Sequence, residues 1–279
     1  MNALMPWVLL ALASSWRGAA GARLQLLPDG EPQRLFAGAG RKITLEWHND
    51  GDRTAVAEVR TRLFQTSSAT AAPLAEIPWK KIEVLSGQTV LESASLNFPA
   101  VNAETCFLIQ WLENSNHVLG QTEVLVYPTN LLQELKMLTD EKTFGVLDPN
   151  NQLMPLLKQN SVPFLDLSAM SLEDFRGRLA IIGPFSSRIQ VREGLARAIA
   201  RITSRGAAVV WIQPPPEPKD PLKPSFYIVP EGKGAAVVVQ ADLVARLAEC
   251  PQSQLNLLSL CNLALAPRLF SLPDFAAQP

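Results

Sequence analysis

The chain has 279 residues, 25 Lys+Arg against 26 Asp+Glu and a formal net charge of −1. Near half of it is apolar, so a sizeable core is available, and the length past residue 22 fits two domains of ordinary size. Residues 23–127 sum to −3 and residues 128–279 to +1. Neither half is the strongly basic surface that nucleic acid requires.

Leu4 to Ala13 is apolar apart from Pro6, and Ala20-Gly21-Ala22 follows as a small-residue cleavage pattern. An apolar run of about ten residues is too short for a bilayer, which takes roughly 20. It suits a secretory leader, so residues 1–22 are expected to be a signal peptide cleaved after Ala22, leaving an exported protein, periplasmic or secreted. Membrane contact is expected only through that segment before cleavage.

Residues 23–128 alternate. Ile43, Leu45 and Trp47 share one phase, with Thr44, Glu46 and His48 in the other, and Ala55 to Leu63 and Phe107 to Trp111 repeat the pattern. Period two means one buried face and one wet face of antiparallel sheet. Turns are expected at 49–52, 86–87 and 113–116, so this half reads as an all-β sandwich.

Past Pro128 the texture changes, and residues 129–270 read as an α/β domain with a parallel sheet. Strands are expected at 144–147, 162–167, 179–183 and 207–212, with helices at 130–139, 151–159 and 189–205 between them. Six prolines within 213–225 make an extended loop. A hairpin pair, 226–229 and 235–240, precedes helices at 241–249 and 252–265. Residues 271–279 form a tail.

The quoted runs resemble a known bacterial pairing. Leu96 to Val101, leading into Cys106–Trp111 and closing on Val124–Pro128, is similar to an Ig-like module. Leu179 to Pro184, the amphipathic helix after it, and Arg205 to Trp211 resemble the class I glutamine amidotransferase-like, flavodoxin-like domain attached to bacterial carbohydrate-active proteins, including some β-galactosidases. The resemblance implies an Ig-like sandwich followed by a flavodoxin-like domain. A working amidotransferase needs a Cys at a strand-to-helix elbow and a His in the same domain. Residues 128–279 contain no histidine, so the resemblance implies a non-catalytic version used for binding or assembly.

Candidate chemistry is sparse. Asp148 and Asp166 close strands at one end of the expected sheet, where an acid/base or metal pair would sit; turn and cap roles are the alternative. Ser186 and Ser187, with Arg188, occupy a loop at a strand's carboxyl end, where open α/β sheets bind ligands. No G-x-S-x-G elbow surrounds the serines, and helix capping is the plainer role. Trp79, beside Pro78, Lys80 and Lys81, is the candidate exposed aromatic platform for a sugar, whereas Trp47 and Trp111 share phase with the core. His48 and His117 lack zinc-ligand spacing, so no metal is expected, and no cofactor. Arg197, Arg201 and Arg205 repeat every fourth residue on one helix face. Cys250 and Cys261 would lie about 16 Å apart along one helix, too far for a disulfide, which needs about 7 Å; free thiols are expected.

The expected function is that of an exported, non-catalytic binding or assembly protein of the bacterial cell envelope, its partner a protein or a glycan. A carbohydrate-binding accessory protein and a hydrolase built on the carboxylates and serine are the alternatives.

Overall fold

A computed structural model describes residues 23–67, 70–113, 116–140, 144–187, 190–191, 193–214, 226–240 and 243–266. Residues 1–22, where a signal peptide is expected, Arg188, most of the proline-rich loop and residues 271–279 lie outside the described residues.

Eight strands come first: β1 (Leu24–Leu26), β2 (Gln33–Phe36), β3 (Gly38–Asn49), β4 (Ala55–Thr66), β5 (Ala71–Val84), β6 (Thr89–Phe98), β7 (Thr105–Glu113) and β8 (Val118–Tyr127). They form two sheets, ordered β1-β3-β6 and β2-β8-β7-β4-β5. The alternation works as read. Ile43, Leu45, Trp47, Phe107, Ile109 and Trp111 are fully buried, while Thr44, Glu46 and Glu58 face out. Asn49 is buried too and is fully used. Its Oδ1 accepts the N–H of Arg23 (3.2 Å) and Gly51 (3.0 Å), and its Nδ2 donates to the carbonyls of Arg53 (2.8 Å) and Val84 (2.9 Å). A buried amide with both ends paired fixes the 49–53 turn without a desolvation penalty.

The β4–β5 ladder slips twice. Val59 faces Lys80 but Arg60 faces Pro78, leaving Trp79 as the extra residue; Leu74 is skipped in the same way between Ala75 and Pro73. Each bulged residue follows a proline, which has no N–H to give the ladder.

Strand β9 (Phe144–Leu147) opens the six-stranded sheet, followed by β10 (Phe164–Asp166), β11 (Leu179–Ile182), β12 (Ala208–Ile212), β13 (Phe226–Glu231) and β14 (Gly234–Val239). Its order is β10-β9-β11-β12-β14-β13. Neighbours are parallel except β13, which runs antiparallel to β14. The helices are α1 (Glu134–Leu138), α2 (Met154–Gln159), α3 (Leu195–Ser204) and α4 (Pro251–Leu265). Val146, Ile181, Val210 and Val237 pack with residues of α2 and α4 on one face, and Ala180, Ile182, Val209 and Ala236 with α3 on the other. Alternate residues of buried strands serve opposite faces, which is why these strands read as continuous apolar runs.

The hairpin joining β13 and β14 turns on Gly232, at φ +62°. A Cβ on Gly232 would come within 2.8 Å of the Ser204 backbone, and one on Gly234 within 2.2 Å of the Ala207 carbonyl oxygen. The hairpin tip therefore lies directly against the end of α3 with no room for a side chain.

The expected architecture, an Ig-like sandwich followed by a separate flavodoxin-like α/β domain with a parallel sheet, is corrected by the structure. The chain is mostly strand, arranged in three sheets, with few helices among the described residues. The six-stranded sheet is mixed, because β13 and β14 are joined by a tight turn and such neighbours must be antiparallel. The helix expected over 189–205 begins only at Leu195, behind Gly194 at φ +89°, and residues 244–249 are turns rather than helix. The chain divides into two compact units, each built from more than one stretch of sequence. One holds Lys42–Leu96, Cys106–Val124 and the stretch ending at Gln33; the other holds Arg34–Arg41, Asn97–Thr105 and the chain from Leu125.

Candidate functional site

In the six-stranded sheet the strand order reverses beside β9, with β10 on one side and β11 on the other. The loops leaving β9 and β11 therefore diverge, and a crevice opens outside their carboxyl ends. It has a volume of about 570 Å³. Leu147, Leu167, Met170, Phe185 and Leu195 supply its apolar walls. Ser168, Ser171, Gln190, Glu173 and Glu193 supply its polar groups, and Gly194 and Leu195 bring the start of α3 to it.

The two divergent loops are tied by an amide relay. Asn150 Nδ2 donates to the Pro184 carbonyl (2.9 Å), Gln190 Nε2 donates to Asn150 Oδ1 (3.1 Å), and the Ser186 N–H donates to Gln190 Oε1 (2.8 Å). Asn150 was legible only as a turn residue, and Gln190 carried no signal in the sequence. On the far wall Arg201 Nη1 donates to both oxygens of Glu173, at 2.6 Å each, and Arg205 Nη2 to the Glu173 carbonyl (2.6 Å). Two of the three arginines spaced along α3 thus hold the loop ahead of β11.

Asp148 is 6% exposed. Its Oδ2 accepts the backbone N–H of Leu153 (2.7 Å) and Met154 (2.9 Å), closing the entry to α2. Its Oδ1 is buried without a hydrogen-bond partner among the described residues. Asp166 is exposed at the end of β10 and accepts both the N–H (2.8 Å) and the hydroxyl (2.6 Å) of Ser168. Those bonds, the hydroxyl first, hold its carboxyl below the usual range. Both carboxylates are thus engaged locally. Ser186 is exposed and Ser187 half-buried. Neither starts α3, since Gly194 stands at that N-cap, so the expected capping role is corrected. Arg188 lies outside the described residues.

Trp79 belongs to the other unit and is not an open platform. It is half-buried, stacked on Trp47 (centroids 6.2 Å apart, planes at 23°) and edge-on to Trp111 (5.0 Å). Lys80 Nζ lies 5.0 Å from the centre of its ring. The bulge explains this: an extra residue reverses the side to which the strand's side chains point, turning the indole inward.

Among the described residues no group of three or more His, Cys, Asp or Glu side chains is placed to hold a metal. His48 Nδ1 meets Thr89 Oγ1 at 3.0 Å and His117 is exposed. Among the described residues no helix is long and apolar enough to cross a membrane. All three cysteines are free. Burial pushes the Cys261 thiol up to about 12. Burial also opposes ionisation at half-exposed Cys250, but the Ser253 and Gln252 hydrogen bonds and Arg246 outweigh it and lower the thiol below its ordinary value.

No family model matches the chain, and no curated protein does. Among solved structures it is similar to a β-glucosidase from Listeria innocua bound to glucose, at 14% identity and a TM-score of 0.28, over 38% of this chain and 16% of that one. A β-glucosidase from Erythrobacter marinus gives 11% and 0.28 over 38% and 15%. One from Bifidobacterium adolescentis gives 12% and 0.27 over 38% and 17%. The chain spans less than a fifth of these enzymes, and likeness this slight carries no argument about fold or activity.

Proposed function

We propose that the chain is an exported binding protein that does no covalent chemistry, and that its ligand site is the crevice outside β9, β10 and β11. The observation that carries the reading is the commitment of Asp148. Hydrolysis would need a carboxylate or serine free to move a proton at the reacting atom; Asp148 holds two backbone N–H groups through Oδ2, its Oδ1 is buried, and it is not among the residues that line the crevice. What remains is a cavity of ligand size with apolar walls and a few fixed polar groups. Carboxylates and side-chain amides beside an apolar wall suit a neutral, hydroxyl-bearing molecule with an apolar face. A mono- or disaccharide is such a molecule.

A protein partner is favoured by one separate feature. Strand β13 is a sheet edge, and Phe226, Tyr227 and Val229 on it are 43%, 42% and 40% exposed. An edge with free backbone groups and apolar side chains can accept another chain's strand.

The non-catalytic claim is tested with p-nitrophenyl glycosides and p-nitrophenyl acetate at high protein concentration. The expected result is release at the buffer rate. Release above that rate in the native protein and lost in Asp148→Asn would establish the hydrolase instead.

A further inference from the structure

A second cavity, of about 410 Å³, lies within the same unit as the six-stranded sheet and apart from the crevice. The start of β3, which carries Arg41, the 3₁₀ turn Leu131–Gln133, the end of α2 and the first turn of α4 line it. Gln254 of α4 is only 3% exposed and lines the wall. Its Nε2 donates to the Leu247 carbonyl at 2.7 Å, which fixes the orientation of the amide. Its Oε1 is buried and has no hydrogen-bond partner among the described residues. A buried acceptor held at a cavity wall calls for a donor from whatever fills the cavity.

The charge of the lining specifies the rest. Arg41 is the one charged residue among those that line it. Gly38 and Gly40, at φ +122° and +64°, bend the chain so that its guanidinium folds back, and Nε (3.2 Å) and Nη2 (2.6 Å) donate to the Ala37 carbonyl. That grip uses Nε and Nη2 on one carbonyl. The amides nearby are held by one another: Asn130 Nδ2 donates to Gln133 Oε1 (3.1 Å), and Gln133 Nε2 to the Asn160 carbonyl (3.1 Å). The cavity is polar, preorganised, cationic and short of a donor.

We infer that this cavity is a second ligand site, taking a small carboxylate that also bears hydroxyl groups, a sugar acid or hydroxy acid, with the carboxylate on Arg41 and a hydroxyl donating to Gln254. Guanidinium pairs with carboxylate more strongly than neutral groups do, and Gln254 selects for the hydroxyl. The assignment does not depend on the crevice.

Calorimetric titration of the whole protein and of its Ala198→Phe variant, a substitution at a crevice-lining position of α3, with D-glucuronate, D-glucose and acetate tests it, the variant removing sugar bound at the crevice. Glucuronate is expected to bind at least tenfold more tightly than either of the others, since glucose lacks the carboxylate and acetate the hydroxyls. Arg41→Gln and Gln254→Met are each expected to weaken glucuronate at least tenfold. Ala198→Phe, which fills the crevice, should leave it unchanged, so failure of the crevice reading is told apart. No measurable glucuronate binding, equal binding of acetate, or binding that survives Arg41→Gln would overturn the inference.

Discussion

Asp148 holds the backbone N–H groups of Leu153 and Met154 through one carboxylate oxygen. An Asp at a strand's carboxyl end is where both a catalytic acid and a helix cap belong, and nothing in Asp148-Pro149-Asn150 separates them. The difference lies in Leu153 and Met154, five and six residues on, whose N–H groups reach its Oδ2. Asp148→Ala removes two charge-assisted bonds and strands two buried donors. We expect a loss of about 1–3 kcal/mol, read as a lower melting midpoint in denaturant at unchanged slope. No loss would mean that α2 does not depend on this carboxylate. The cysteines make a second residue-scale prediction. Cys250, half-exposed and with its thiol lowered, should be alkylated by iodoacetamide in the native protein well before Cys261, which is buried and raised to about 12. Peptide mass spectrometry at neutral pH checks the order, and early labelling of Cys261 would contradict it.

At the scale of elements the sequence was most readable where its period was unbroken. Ile43-Thr44-Leu45-Glu46-Trp47 announces a strand and its buried face, and the structure agrees residue by residue. It was least readable at the β5 bulge, because one extra residue inverts the phase of everything beyond it and leaves no mark in composition. Trp79 looked outward for that reason. With its ring on Trp47 and Trp111, Trp79→Ala should cost about 2 kcal/mol, below the 3–5 of a fully buried aromatic, and should alter the near-ultraviolet circular dichroism of the tryptophan cluster. A change confined to stability with an unaltered spectrum would argue against the stacked arrangement. The β13–β14 hairpin was legible from Gly232-Lys233-Gly234, but the reason for the second glycine was not. It is needed because Ala207 Oxygen lies where a Cβ would go. Gly234→Ala should therefore destabilise by more than the roughly 1 kcal/mol of an ordinary glycine substitution, through backbone displacement.

For the whole molecule, the change of texture near Pro128 is a local property and could be read from composition. The exchange of residues 34–41 and 97–105 into the second unit could not, since it depends on contacts between stretches far apart in the chain. The same is true of the crevice. Leu147, Leu167, Phe185 and Leu195 come from four separate segments, and only the reversal of strand order beside β9 brings them to one opening. Asp148, Asp166, Ser186 and Ser187 are not among the residues that line the crevice, though their chain neighbours Leu147, Leu167 and Phe185 are, and the amide relay that joins Asn150, Gln190 and Ser186 was not visible at all. The central claim is that this crevice holds a hydroxyl-bearing ligand without transforming it. Thermal melting of the native protein and of Ala198→Phe against a panel of neutral mono- and disaccharides tests it most directly. A ligand at a hundredfold excess over its Kd adds about 2.7 kcal/mol to the folded state. The account predicts that at least one sugar class raises the native midpoint, leaves that of Ala198→Phe where it was, and is recovered chemically intact. A flat native profile across the panel, or an equal rise in the filled-crevice variant, would contradict it.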